Sequence, residues 1–577
     1  MAEITAPEYI SPYVVTVSGG LVLDRDVYTM PVGAATILQN FEPSVKGGYR
    51  RLSGTAKYDA NLLGGATDTV LGVAIFRDKV IAASSTIVQE SSGSGWSSID
   101  TGRTSAGRYR FEEYNFTTNE NRLIFADGAN FASFYNGTTV VDIKGSTTIS
   151  ATGSASSSST SLSVTSAAGI AEGMYIGGTN IGSGAKVSSV SGTTITMSVA
   201  TTGTISSASV TFAGLGTAPT NPSMVAAFKN HMFYAGMSAE PNTIIFSAIG
   251  DENDFTSGNG AGSLNVDSTI VAIKSFRESL MIFCEDRIYK LTGNALADFA
   301  IEPVSRNVGC SDAFSVQEIG GDILFLAPDG LRTVAGTARI GDVELGTVSK
   351  QIQDRINDIG FDNVSSVVIR GKSQYRLFYP TTGGLETSAK GLIGVLKSNP
   401  QGQLGWEYSD IRGLKPSCCV SGFVSGVETI IHGGYDGYVY KQESGNTFAG
   451  TAMTALYRSP DLTMGDAGIR KNMQRINVNY DPEGAVNVSL FVKYDFEDAA
   501  TPQPAAYTLT TADTAAVYGN SGSLYGSAVY GAEGMPIVRQ SVEGSGFTVV
   551  IRLTDTSSNP PITLKGFELE FTPGARM

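Results

Sequence analysis

Residues 279–293, SLMIFCEDRIYKLTG, and 322–336, DILFLAPDGLRTVAG, decide the fold. Each is an apolar run, a tight Asp-containing turn and a second strand-like run. In the second stretch the turn is Asp329-Gly330, and Asp-Gly supplies the positive φ angles that a two-residue hairpin needs. The same order recurs in LIFADGANFASFYNG around Asp127 and in IIHGGYDGYVYKQESG around Asp436. Asp286 and Asp329 stand 43 residues apart, the spacing of a four-stranded propeller blade. These aspartates read as turn formers rather than catalysts.

Working outward, TVLGVAIF (69–76), KVIAASSTIVQE (79–90) and MVAAFKNHMFYAG (224–236) repeat the pattern. Short runs of Val, Ile, Phe and Tyr between Gly, Asp and Asn predict antiparallel strands. One helix is predicted, over Val348 to Ile359, with Ser349 as cap, Ile352, Ile356 and Ile359 as an apolar stripe, and Gly360 at its end. The expected fold is therefore mainly β, an irregular β-propeller over 60–145 and 214–445. An N-terminal segment, 1–59, completes or braces it. Residues 146–213 hold 31 Ser or Thr and two charges, Glu172 and Lys186. Their alternation (AKVSSVSG, TTITMSV, SASVTFAG) predicts an inserted small β-sandwich module. Long alternating runs after 446, such as AVNVSLFVKYDF and PPITLKGFELEFTP, predict a C-terminal β-sandwich over 446–577.

Composition agrees. There are 68 glycines in 577 residues, about 12% against a usual value of about 7%, as many hairpins require. Hydrophobic residues reach 41%, enough for substantial cores. There is no Gly-X-Y period and no run of 18 apolar residues, so neither a collagen-like rod nor a membrane-spanning helix is expected. The start, MAEITAPEYISPYVV, lacks the pattern of a signal peptide. With 54 acidic and 40 basic residues the net charge is −14, which argues against tight, sequence-independent nucleic-acid binding. The four cysteines (Cys284, Cys310, Cys418 and Cys419) are too few for a disulfide framework and read as small buried hydrophobes.

Catalytic signatures are missing. Any Ser-His-Asp or Cys-His centre would need His231 or His432, and no G-x-S-x-G elbow accompanies either. No C-x-x-C, H-E-x-x-H or P-loop occurs. The acid-rich Asp251-Glu252-Asn253-Asp254 does not match a calcium loop. With only Trp96 and Trp406, sugar-stacking platforms are scarce. No enzymatic activity, metal or cofactor is expected.

Two stretches carry a resemblance. Residues 19–58 contain Asn40-Phe41-Glu42-Pro43, then Gly47-Gly48-Tyr49-Arg50-Arg51 and Gly54. Residues 230–258, NHMFYAGMSAEPNTIIFSAIGDENDFTSG, lead into 268–293. In order and spacing they resemble the nozzle proteins of podophages, the tail tubular protein B family. The resemblance extends to a loop with Tyr518-Gly519, Tyr525-Gly526 and Tyr530-Gly531 and to the closing sandwich, but not to 146–213. It implies a structural virion protein, a homohexameric ring below the portal and adaptor rings that extends the tail tube and anchors tail fibres. Double-stranded DNA would cross its channel without tight binding, and the chain would be made in the host cytoplasm.

Phe41, Tyr49, Arg50 and Arg51 are candidate subunit-interface positions, since paired arginines can clamp a neighbour's carboxylates. Packing within the chain's own first blade is the competing reading. Asp251, Asp254 and Phe255 read as a turn between blades rather than a ligand site. Two other functions stay open: a receptor-recognition or carbohydrate-binding tail protein with 146–213 as the adhesin-like module, and a head-completion or DNA-stabilising plug.

Overall fold

The computed structural model describes residues 11–26, 28–105, 107–116, 120–334, 347–359, 363–379, 390–398, 404–511 and 537–576. The chain is mainly β. The Tyr-Gly repeats and Gly360 lie outside the described residues. Contacts divide the chain into two compact units.

The unit of residues 71–92 and 96–313 is built from antiparallel sheets of four consecutive strands, spanning 70–101, 110–142, 224–265 and 270–305. Their hairpins are tight: Arg77 and Asp78, and Lys229 and Asn230, all have positive φ, as type I′ turns demand. Strand Arg122–Ala126 shows why the runs are apolar at nearly every position. Leu123 and Phe125 pack with Phe76 and Ile81 of the preceding sheet. Ile124 and Ala126 point the other way and pack with Val225 and Tyr234 of the following one. The next pair of sheets shares a third core around Phe233, Phe246, Ile282 and Leu291. Alternate side chains serve opposite faces, so a strand stacked on both sides must be apolar throughout.

The insert leaves and rejoins this unit through one small ladder, Gly145–Ser146 against Gly216–Thr217. Six strands between 149 and 212 form a single antiparallel sheet. Its edges also meet, since the Val187 N–H donates to the Met174 carbonyl at 2.9 Å and the Gly173 N–H to the Val187 carbonyl at 2.8 Å. The module is thus a closed ring of strands, where a two-sheet sandwich was expected. Alternation alone does not distinguish the two, and closure removes the exposed edges that so Ser- and Thr-rich a sheet would present. Leu162, Met174, Ile195, Val210 and Phe212 fill it.

The other unit comprises residues up to 70, 93–95 and 314 onward. A three-stranded sheet covers 317–333, and a four-stranded sheet joins Cys418–Val424, Val427–Gly433 and Val439–Gln442 to Thr55–Lys57. Two larger sheets, of seven and nine strands, enclose one core. The expected domain boundaries change here. Strands Ser365–Ile369, Gln374–Tyr379, Lys390–Ser398 and Leu404–Arg412 belong to the nine-stranded sheet with C-terminal strands, so 214–445 is not one run of blades. Segment 1–59 does more than brace. Ser11–Thr16, Phe41–Pro43 and Tyr49–Arg51 join the seven-stranded sheet, Ile37–Gln39 the nine-stranded one, and Thr55–Lys57 the sheet of 418–442. Periodicity marks a strand but not its sheet.

The predicted helix is short, Gln353–Asn357 preceded by a 3-10 turn at Lys350–Ile352. Ile352, Ile356 and Ile359 enter the large core as a stripe. Ser349 makes no cap bond; its hydroxyl accepts the Leu331 N–H at 3.0 Å instead.

Candidate functional site

The N-terminal motif is a clamp inside its own unit. Asn40 has a φ of +53°, a conformation Asn tolerates better than most residues. Its side-chain amide donates to the carbonyls of Arg412 (3.1 Å) and Thr454 (2.9 Å), and its Oδ1 accepts the Arg412 N–H (2.9 Å). Phe41 and Tyr49 are in the large core. The Tyr49 hydroxyl accepts from the Gly20 N–H and donates to the Gly33 carbonyl, both at 3.0 Å, and burial pushes its pKa well up. Gly48, at φ +83°, runs so close to the Leu564 carbonyl that a Cβ would sit 2.2 Å from it.

Arg51 is fully buried. Its guanidinium donates to the carbonyls of Asn559 and Ser557 at 2.6 Å each and pairs with Asp555 at 3.4 Å. Burial lowers its pKa, and Asp555 opposes that. Arg50 reaches Glu483 through two bonds of 2.5 and 2.8 Å. The expectation that Phe41, Tyr49 and Arg51 meet a neighbouring subunit is therefore corrected, because each is enclosed by its own chain. The Arg-Arg pair does clamp carboxylates, but those of Glu483 and Asp555.

The densest buried charge surrounds Glu42. One carboxylate oxygen accepts from Lys372 (2.7 Å) and Arg50 (3.3 Å), the other from Gln374 (3.0 Å) and Arg376 (3.3 Å). Arg376 also bonds Gln374, Gln442 and Glu443, and Lys372 bonds Glu443 at 2.6 Å. Burial alone would raise the Glu443 carboxyl, but Arg376 and Lys372 outweigh it and hold the group low. Three cations and two carboxylates, with Gln374 and Gln442 completing the bonds, tie Phe41–Pro43 to Gln374–Tyr379 and to Val439–Gln442. The set holds no nucleophile and no imidazole. Its chemistry is that of a strut, costly to break by removing one partner. The sequence carries a signal for it, Gln374 and Arg376 within the otherwise aromatic and apolar QYRLFY (374–379).

The acid-rich turn fastens the insert. Asp251 accepts the Asn253 N–H at 3.1 Å and pairs with Lys186 of the insert at 2.9 Å. Glu252 is buried and paired with Arg122; burial raises its pKa, with Arg122 opposing. The Asn253 side chain accepts the Gly145 N–H at 3.2 Å. Asp254 accepts from the Thr256 N–H (2.9 Å) and the Asn259 amide (2.7 Å). The Phe255 N–H donates to the Leu215 carbonyl at 2.6 Å, and its ring lies 5.7 Å from Tyr234. The pKa of Glu172, the insert's other charge, is raised by burial, with Arg122 opposing and the carboxylates of Glu252, Glu120 and Asp251 adding to the rise.

The hairpin aspartates brace their own turns, and Asp127 also pairs with buried Arg103 at 3.4 Å. Asp127 accepts the N–H groups of Ala129 (3.0 Å) and Asn130 (2.8 Å); Asp286 pairs with Arg287 and Asp329 with Arg332. His231 is buried with Nδ1 2.6 Å from the Ser247 carbonyl. His432 is buried and stacks on Tyr440 at 5.1 Å; burial lowers its pKa to about 3. It lines a cavity of about 420 Å³. All four cysteines are free thiols, and burial raises Cys284 to about 12. Among the described residues no His, Cys, Asp and Glu gather as a metal site, and no helix is long and apolar enough to cross a membrane.

No family model matches the chain, and no curated protein is significantly similar to it. Solved structures align weakly. The computationally designed Ika8 protein has 11% identity and a TM-score of 0.31, over 67% of this chain and 99% of that one. Saccharomyces cerevisiae Sqt1 has 11% identity and a TM-score of 0.32, over 68% and 98%. An ancestral GH74 enzyme has 10% identity and a TM-score of 0.34, over 76% of this chain and 52% of the enzyme. Likenesses this slight do not bear on activity.

Proposed function

We propose that the chain is a structural protein of a bacteriophage virion, a subunit of a podophage tail nozzle. In this reading the stacked four-stranded sheets are blades of an irregular β-propeller. Six copies form a ring below the portal and adaptor, carry the tail fibres and let double-stranded DNA pass. The observation behind it is the use made of the motif residues. Asn40, Glu42, Tyr49, Arg51 and Asp254 are all spent on joining strands and turns of this chain, as a load-carrying part requires. The net charge of −14 fits a channel that does not hold DNA by releasing counterions.

The experiment is a copy count and image of the tail in virions that carry the protein. Six copies in one ring around the channel are expected; another number, or a place outside the tail, overturns the proposal. Lysine substitutions of lumen-facing acids, once imaging assigns them, are expected to slow ejection without blocking assembly.

A further inference from the structure

The cavity beside His432 lies where the sheet of 418–442 meets the segments that precede and follow it, 413–415 and 448–451. At about 420 Å³ it falls within the range of small-molecule sites. Leu414 and Phe448 are buried in its wall. The imidazole of His432 lies parallel to the Tyr440 ring, 15° between planes. Buried and held at a pKa of about 3, it is uncharged at neutral pH, and its Nδ1 has no hydrogen-bond partner. Thr55 and Thr451 also belong to the lining.

The rim carries one charge of each sign. Lys415 is exposed and belongs to the lining. Asp436 is exposed and already ordered: it accepts the Tyr440 hydroxyl at 2.6 Å and the Tyr438 N–H at 3.3 Å. Each of its oxygens keeps a further lone pair for an outside donor. An anion would face Asp436, and a cation would face Lys415. An uncharged ligand rich in hydroxyls suits both, donating hydrogen bonds to the carboxylate and accepting them from the ammonium. Its C–H faces would suit the aromatic and aliphatic wall.

We propose that this cavity binds a neutral hexopyranose unit. The assignment is independent of the nozzle reading and places the sugar site on the 418–442 sheet, outside the Ser/Thr-rich insert.

The test uses the full chain and saturation-transfer NMR with the methyl glycosides of glucose, galactose, mannose and N-acetylglucosamine. At least one is expected to show transfer. Asp436→Asn and Lys415→Met, at exposed rim positions, are each expected to weaken binding at least tenfold. Lys415→Met should leave the thermal transition unchanged, while Asp436→Asn, which keeps a single acceptor oxygen for Tyr440 and Tyr438, should lower it slightly. Oligosaccharides of the best hexose separate two sources of the unit: tighter binding marks a glycan chain, equal binding a free sugar. Absence of transfer from all four glycosides overturns the proposal. So does transfer unaffected by both variants, or a preference for glucose 6-phosphate or glucuronate over the neutral sugars.

Discussion

Arg51→Met separates a strut from a subunit contact. Arg51 has no exposed side-chain surface, and its partners are Asp555, the carbonyls of Ser557 and Asn559 at 2.6 Å and, more weakly, that of Asn446 at 3.4 Å. Removing one member of a buried ion pair costs about 3–5 kcal/mol, because the other is left uncompensated. Asp555 would keep the Ser557 N–H (2.8 Å) and hydroxyl (2.7 Å), which favours the lower end for that part. The two carbonyls at 2.6 Å would also lose charged donors, at about 1–2 kcal/mol each, while the Met side chain recovers some packing. The expected total is about 4 kcal/mol. Urea unfolding of the isolated chain reads it as a lower midpoint at unchanged slope. In a double-mutant cycle, Asp555→Asn is expected to show a coupling of about 1–3 kcal/mol with Arg51→Met. A loss below about 1 kcal/mol, or failed ring assembly at unchanged stability, would refute the reasoning and return Arg51 to a subunit interface.

Three further outcomes are expected. His432 is held neutral by burial, with its pKa lowered from 6.5 to about 3, so the unfolded chain binds the proton more tightly. The stability it contributes is complete above about pH 6.5 and is lost as pH falls towards 3, about 2 kcal/mol of it by pH 5. His432→Phe should lack that loss between pH 7.5 and 5 in urea titrations, and a His432 imidazole that titrates near 6.5 by NMR would sink the argument. Replacing 147–214 with Asn-Gly should leave the remaining chain folded, with its main thermal transition within about 4 °C, because Gly145–Ser146 and Gly216–Thr217 already pair. Aggregation of the shortened chain would count against an autonomous insert. Asp254→Ala should destabilise by about 1–3 kcal/mol through the lost Thr256 and Asn259 bonds, and Asp254→Asn by less; equal melting temperatures for the two variants would contradict this.

The mainly β character of the chain was legible residue by residue. Apolar runs broken by Asp, Asn and Gly became hairpins, and even Lys229-Asn230 before His231 became a two-residue turn with both φ angles positive. Ile352, Ile356 and Ile359 were readable as a buried stripe, because a helical period leaves one face apolar. The function of Ser349 was not, since its hydroxyl was claimed by Leu331, 18 residues away. The candidate site was half legible. Asn40 to Arg51 and Asp251 to Phe255 stood out as motifs, but their partners Asp555, Glu483, Arg376 and Lys186 are remote in sequence, and nothing local names them.

Local chemistry by itself therefore determined the strands, the turns and the glycines at close approaches such as Gly48. Backbone preference and alternation act over a few residues and do not depend on which distant segments meet. Tertiary structure alone decided which sheet each strand entered. It sent 365–412 to the C-terminal strands, distributed segment 11–57 over three sheets and closed the insert on itself. It also decided the fate of the charges. Arg51 and Glu42 lie in strands whose pattern fits an exposed surface equally well, and only the arrival of Asp555, Arg376 and Lys372 makes their burial affordable.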